Sequence, residues 1–230
     1  MDQVELLDLI ARINTGDEHI ADSRESTSWK ALREAEELTD PSLFPPLQEI
    51  INTNEGKTKE KRELRNAAYF IYSRLMEKVF SPAEASFFLG RLRVERDKYV
   101  LSSLLDRVSD WGRKNLLLPA ELDLSPVLAL TVEERRSVRH DAVRALSACP
   151  GEASRKACAY YLEQKDEKAY QYEIYYANIA LQTIGEPPDI LLLERFLKSR
   201  RPNLKLTAQY AIQYIRERVG MRDKPRETAR

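Results

Sequence analysis

Three short clusters repeat one pattern along the chain: Ala142 with Ala145-Leu146, Ala177 with Ala180-Leu181, and Ala208 with Ala211-Ile212. Each is a small residue followed at i+3 and i+4 by an apolar pair, which marks one face of a helix. Ala68 with Ile71-Tyr72 and Ala35 with Leu38 match in part. The anchors stand at 35, 68, 142, 177 and 208, with adjacent spacings of 33, 35 and 31. The interval from 68 to 142 leaves room for one degenerate unit near Leu104. A small residue at a fixed period has a physical cause. Helices that stack side by side must approach closely there, and a large side chain would hold them apart.

Glycine supports an all-α reading. The chain has 7 glycines in 230 residues, where average usage of about 7% would give roughly 16. A β-rich fold needs glycine at its turns. With 43% apolar and 32% charged residues and a net charge of zero, the chain is too apolar and too balanced to be disordered.

Helical periodicity and breaks then divide the chain. Val4, Leu7, Ile10 and Ala11 draw a first stripe, and the polar stretch from Asn14 to Ser28 reads as a loop. The predicted two-helix units run over residues 24–54, 59–92, 95–130, 133–164 and 168–199, followed by a last helix over 203–219 and a flexible tail over 221–230. Residues 1–220 are expected to form a single domain. Asp40 before Pro41 is a cap signal, because proline at the first helical position sacrifices no hydrogen bond, and Ser81-Pro82 opens a short second helix. The third unit is the least regular, since Gly112 to Ser125 shows no clean period.

These features resemble the HEAT-repeat family. The likeness is carried by Leu38-Thr39-Asp40-Pro41 with Pro46-Leu47, by Val138-Arg139, Ala142, Ala145-Leu146 and Pro150, and by Gly185-Glu186-Pro187-Pro188 with Leu191-Leu192. It covers roughly residues 24–219. The resemblance implies a right-handed α-α superhelix of about five helix pairs with single-helix ends. It also implies that second helices line a concave side that holds proteins or nucleic acids.

Six of eleven tyrosines fall within seventeen positions: Tyr160, Tyr161, Tyr170, Tyr172, Tyr175 and Tyr176. Tyrosine is enriched at interfaces. Core packing through Tyr170, Ile174, Ala177, Leu181 and Ile184 explains some of them, but helical spacing prevents all six from pointing inward. Tyr161, Tyr172, Tyr175 and Tyr176 are the contact candidates.

Charge is unevenly placed. Residues 1–40 hold eleven acids and four bases, a net of −7, so residues 41–230 sum to +7. Arg195, Lys198, Arg200, Arg201 and Lys205 form a run without an acid. Such a run meets an anionic partner, or simply complements a helix C-terminus in solvent. Nucleic acid is an alternative partner but not the favoured one, because binders usually carry a broader excess of bases, and the acidic front and basic rear also allow head-to-tail self-association.

Searches for chemistry find little. His19 and His140 lack metal-ligand spacing, and no phosphate-binding glycine loop or nucleophile elbow occurs. HEAT-like alkylpurine DNA glycosylases grip a lesion with aspartate, arginine and tryptophans. Trp111 follows Asp110 directly and lies five from Asp106, so the two types do not share a helix face. Cys149 and Cys158 read as buried small apolar residues in a reducing cytosol. No secretory leader or membrane span is visible. The expectation is a non-catalytic, cytoplasmic scaffold for a protein or peptide partner, with Tyr161, Tyr172, Tyr175, Tyr176, Arg195, Lys198, Arg200 and Arg201 as contacts, and with no cofactor or metal.

Overall fold

The computed structural model describes residues 1–16 and 22–221, and over them it is helical with no strand. His19 and the tail beyond Met221 lie outside the described residues. The chain divides into two compact units, Met1–Arg107 and Val108–Arg230.

In the first unit, α1 (Gln3–Ile13) begins with a reciprocal cap. Asp2 accepts from the amides of Val4 and Glu5 at 2.8 and 2.9 Å, and the Glu5 carboxylate accepts from the Asp2 amide at 2.8 Å. The expected inward stripe is corrected here: Val4 and Leu7 are exposed, and Leu6, Leu9 and Ile10 are buried. Two apolar stripes compete on this helix. Leu6, Leu9, Ile10 and Ile13 follow i, i+3, i+4, i+7 and remove more apolar area from water than Val4, Leu7 and Ala11 would.

α2 (Thr27–Glu36) starts at Ser26, whose hydroxyl accepts from the Trp29 amide. Asp40 accepts from the Ser42 amide and opens a 3-10 turn over Pro41–Leu43, which runs into α3 (Phe44–Thr53). α4 (Lys59–Lys78) and α5 (Pro82–Val94) are capped by Thr58 and Ser81. α4 packs on α1, α2 and α3. Tyr72 carries the aromatic centre, with its ring 4.8 Å from Phe44 and 5.8 Å from Phe88. α6 (Lys98–Arg113) begins in this unit and ends in the next.

The second unit holds α7 (Ser125–Leu130), α8 (Arg136–Ala145), α9 (Glu152–Leu162), α10 (Gln171–Ile184), α11 (Ile190–Glu194) and α12 (Pro202–Arg218). α10 packs on α8, α9 and α12. The helix expected over 187–199 is split: 3-10 turns over Pro187–Asp189 and Arg195–Lys198 flank the five residues of α11. The irregular stretch after α6 is pinned to the turn that closes α8, where the Leu118 amide donates to the Ala148 carbonyl at 2.9 Å. That seating requires Gly112. A Cβ there would stand 2.6 Å from the Ser147 carbonyl carbon and 2.7 Å from the Ala148 nitrogen.

All five anchors, Ala35, Ala68, Ala142, Ala177 and Ala208, are fully buried, and so is Leu104 of the degenerate unit. A second device, arginine donating to main-chain carbonyls, ties helices to connecting segments. Arg65, three residues before Ala68, donates to the carbonyls of Asn54 and Gly56 and pairs with Glu95 at 3.1 Å. Arg139, three residues before Ala142, donates to the Glu133 carbonyl and pairs with Glu173 at 2.9 Å. Arg195 donates to the carbonyls of Leu162 and Gln164, and Arg218 to those of Gln182 and Gly185. Among the described residues no helix is long and apolar enough to cross a membrane.

Candidate functional site

α10 runs without an internal Gly or Pro, so its side chains repeat every 3.6 residues. Ile174, Ala177, Leu181 and Ile184 take the buried flank. The period leaves Tyr172, Tyr175 and Tyr176 on the opposite side, exposed or half-buried. There they line an open depression of about 600 Å³ with Gln171, Arg200 and Arg201. The arginines arrive from the loop between α11 and α12. Arg201 is set by its bond to the Gln171 side-chain oxygen.

The tyrosines continue into a ladder across α8. Arg136, His140 and Arg144 stand at i, i+4 and i+8, one face of that helix. Arg136 stacks over Tyr172 at 5.8 Å and Arg144 over Tyr176 at 5.6 Å. His140 sits between, 5.3 Å from the Tyr172 ring and 6.1 Å from that of Tyr176. Tyr175 and Tyr176 meet edge to face at 5.2 Å. Behind the ladder the Glu173 carboxylate is fully buried, 2.9 Å from Arg139 and 3.2 Å from His140 Nε2. Burial pushes the His140 imidazole below its usual pKa, although the Glu173 charge pulls the other way. Burial raises the Tyr176 phenol. His140 is therefore a neutral stacking partner near pH 7.

Five of the eight residues singled out in the sequence meet at one place: Tyr172, Tyr175, Tyr176, Arg200 and Arg201. Three do not. Tyr161 is 2% exposed, with its hydroxyl donating to the Thr131 carbonyl and its pKa pushed up to about 12 by burial. Arg195 is engaged with two carbonyls and lies over the Phe196 ring. Lys198 is exposed but does not line the depression. Arg136, His140 and Arg144 escaped the sequence reading. Their i, i+4, i+8 spacing is visible there, but their stacking on a helix one unit away is not. The grouping lies on α8, α10 and the loop that leads into the last helix, and α8 and α10 are first helices of their pairs, whereas the resemblance puts the groove on second helices.

Chemistry is sparse elsewhere. Trp111 is fully buried and Asp110 pairs with Arg113. Cys149 and Cys158 are buried and free, and burial raises both thiols, Cys149 to about 12. Among the described residues no group of three or more His, Cys, Asp or Glu could hold a metal ion.

No protein-family model matches the chain, and no curated protein is significantly similar to it. Solved structures do match in fold. Two engineered proteins, each 15% identical, superpose with a TM-score of 0.52 over 94% of this chain and 98% and 100% of theirs. A designed armadillo repeat protein, 14% identical, gives 0.49 over 91% of this chain and 99% of its own. Over the described residues the chain is all-α and shares the helical fold of the two engineered proteins.

Proposed function

We propose that the protein is a non-catalytic binding module that docks a segment of another protein on the face built by Tyr172, Tyr175, Tyr176, Arg200 and Arg201. The single observation that supports this is convergence. Side chains from a helix and from the next unit's connecting loop surround one open depression. Tyrosine and arginine are the residues that most often dominate binding energy, because they offer broad flat area and directed donors at low entropic cost. The two buried free thiols suit a reducing compartment, and we place the protein in the cytoplasm.

The test is recovery of a partner by the wild-type protein and by a triple variant, Tyr172→Ala with Tyr175→Ala and Arg200→Ala. A protein retained by the wild type and lost by the variant supports docking here. Equal recovery by both places the binding surface elsewhere.

A further inference from the structure

We infer that the occupant of this face is an acidic, extended segment of a partner protein, lying in a polyproline-II-like conformation with a carboxylate at about every third residue. The inference rests on the docking role proposed above and supplies its chemistry.

The face repeats. A second open depression, of about 630 Å³, is lined by Arg136, Arg139, Asp166, Lys168, Ala169 and Tyr170. It lies where the start of α8 meets the loop between α9 and α10. The first lies where the start of α10 meets the loop between α11 and α12. The two are the same structural position in consecutive units. They are joined at Tyr172, which lines one and carries the guanidinium of Arg136 from the other at 5.8 Å.

Charge selects the occupant. Among the described residues Lys168 and Arg200 pair with no carboxylate, and Arg136 donates only to the Ala169 carbonyl, at 3.4 Å. The nearby acids are already engaged: Glu173 is buried against Arg139, and Asp166 accepts from the amides of Lys168 and Ala169. Bases therefore outnumber acids among the lining residues: Arg200 and Arg201 with no acid in the first depression, and Arg136, Arg139 and Lys168 against Asp166 in the second, beside tyrosine rings.

Spacing selects the conformation. First helices that pack flank to flank stand about 8–10 Å apart. A polyproline II segment returns to the same side every third residue, after about 9 Å. A β-strand returns after about 7 Å, which falls short of the next unit. An amphipathic helix returns at suitable intervals but needs an apolar groove. The depressions instead mix tyrosine ring faces with hydroxyls and guanidinium groups in about equal measure, and Leu204 is only 2% exposed, so neither offers a continuous apolar groove. Aromatic-lined grooves with polar edges suit polyproline II ligands.

The experiment measures fluorescence anisotropy of the full chain with labelled (Glu-Pro-Pro)5, (Gln-Pro-Pro)5 and (Lys-Pro-Pro)5, a helical acidic peptide and oligothymidylate. The expected result is binding of the glutamate peptide at least tenfold tighter than the glutamine peptide, with none for the lysine peptide. Arg136→Gln and Arg200→Gln should each weaken it threefold or more, whereas Lys156→Gln, on exposed α9 surface, leaves it unchanged. Circular dichroism confirms that each variant is folded. Equal binding of the glutamine peptide overturns the carboxylate requirement and leaves docking standing. Tighter binding of the helical peptide overturns the conformation, and tighter binding of oligothymidylate overturns the protein partner. Binding by none of the peptides overturns the whole inference. Docking fails separately, when the triple variant still recovers the wild-type partner.

Discussion

The carboxylate of Glu173 on α10 is fully buried and lies 2.9 Å from the guanidinium of Arg139 on α8, one unit earlier in the chain. Removing one partner of a buried ion pair leaves the other group without compensation for its lost hydration. Arg139→Met leaves the carboxylate stranded and should destabilise the fold by about 3–5 kcal/mol. The double variant Arg139→Met with Glu173→Met should recover most of that loss, because the pair and an apolar replacement are close in energy. Urea denaturation of both variants checks the difference, and similar losses in the two would refute the coupling.

The alanine anchors predict intolerance of size. Ala177→Leu inserts a branched side chain where α10 is fully buried, and should cost about 1–3 kcal/mol through overpacking. Leu191, 77% exposed on α11, serves as the control, and Leu191→Ala should stay within about 0.5 kcal/mol. Thermal melting of the two variants provides the comparison.

Two glycines should respond with opposite sign. Gly112→Ala forces the backbone at Ser147 and Ala148 to move, at a cost of about 1–3 kcal/mol. Gly90 lies within α5 with no atom within 4 Å of a built Cβ. Gly90→Ala should stabilise by about 0.5–1 kcal/mol, since alanine restricts the unfolded chain and favours helix. The shift in denaturation midpoint gives the sign directly.

The buried thiols and phenols predict loss of stability in alkali. Cys149, Tyr69 and Tyr161 are each raised to about 12 by burial, so the unfolded chain releases these protons first. Stability is fully present below the unfolded values, near pH 8.5 for cysteine and pH 10 for tyrosine, and falls as pH rises toward about 12. Stability measured between pH 8 and pH 11 should decline. A thiol reagent at pH 8 should react with Cys149 and Cys158 only as fast as the protein opens.

The repeat was legible because it is written in residue size. Alanine at Ala68, Ala142, Ala177 and Ala208 with an apolar neighbour three or four positions on needs only helical spacing to be read. Asp40 was legible as a cap, and Ser81-Pro82 as a helix start, because proline follows each. The phase of α1 was not, since Val4 and Leu7 make nearly as good a stripe as Leu6, Leu9 and Ile10, and only α2 and α4 decide between them. The tyrosine and arginine face was legible in part. Residue type identified Tyr175 and Arg200. It could not show that Tyr161 bonds the Thr131 carbonyl, or that Arg195 spends its donors on Leu162 and Gln164. A main-chain acceptor leaves no trace in the letters of a sequence.

That choice of acceptor bears on how the chain can change over generations. Every amino acid carries the same carbonyl, so substitutions at Asn54, Leu162 or Gln164 leave the oxygen in place so long as the loop keeps its path. The arginine end has no such latitude. Connecting segments can drift in identity while the few guanidinium positions stay constrained, a division that lets the outer surface diversify without loosening the stack.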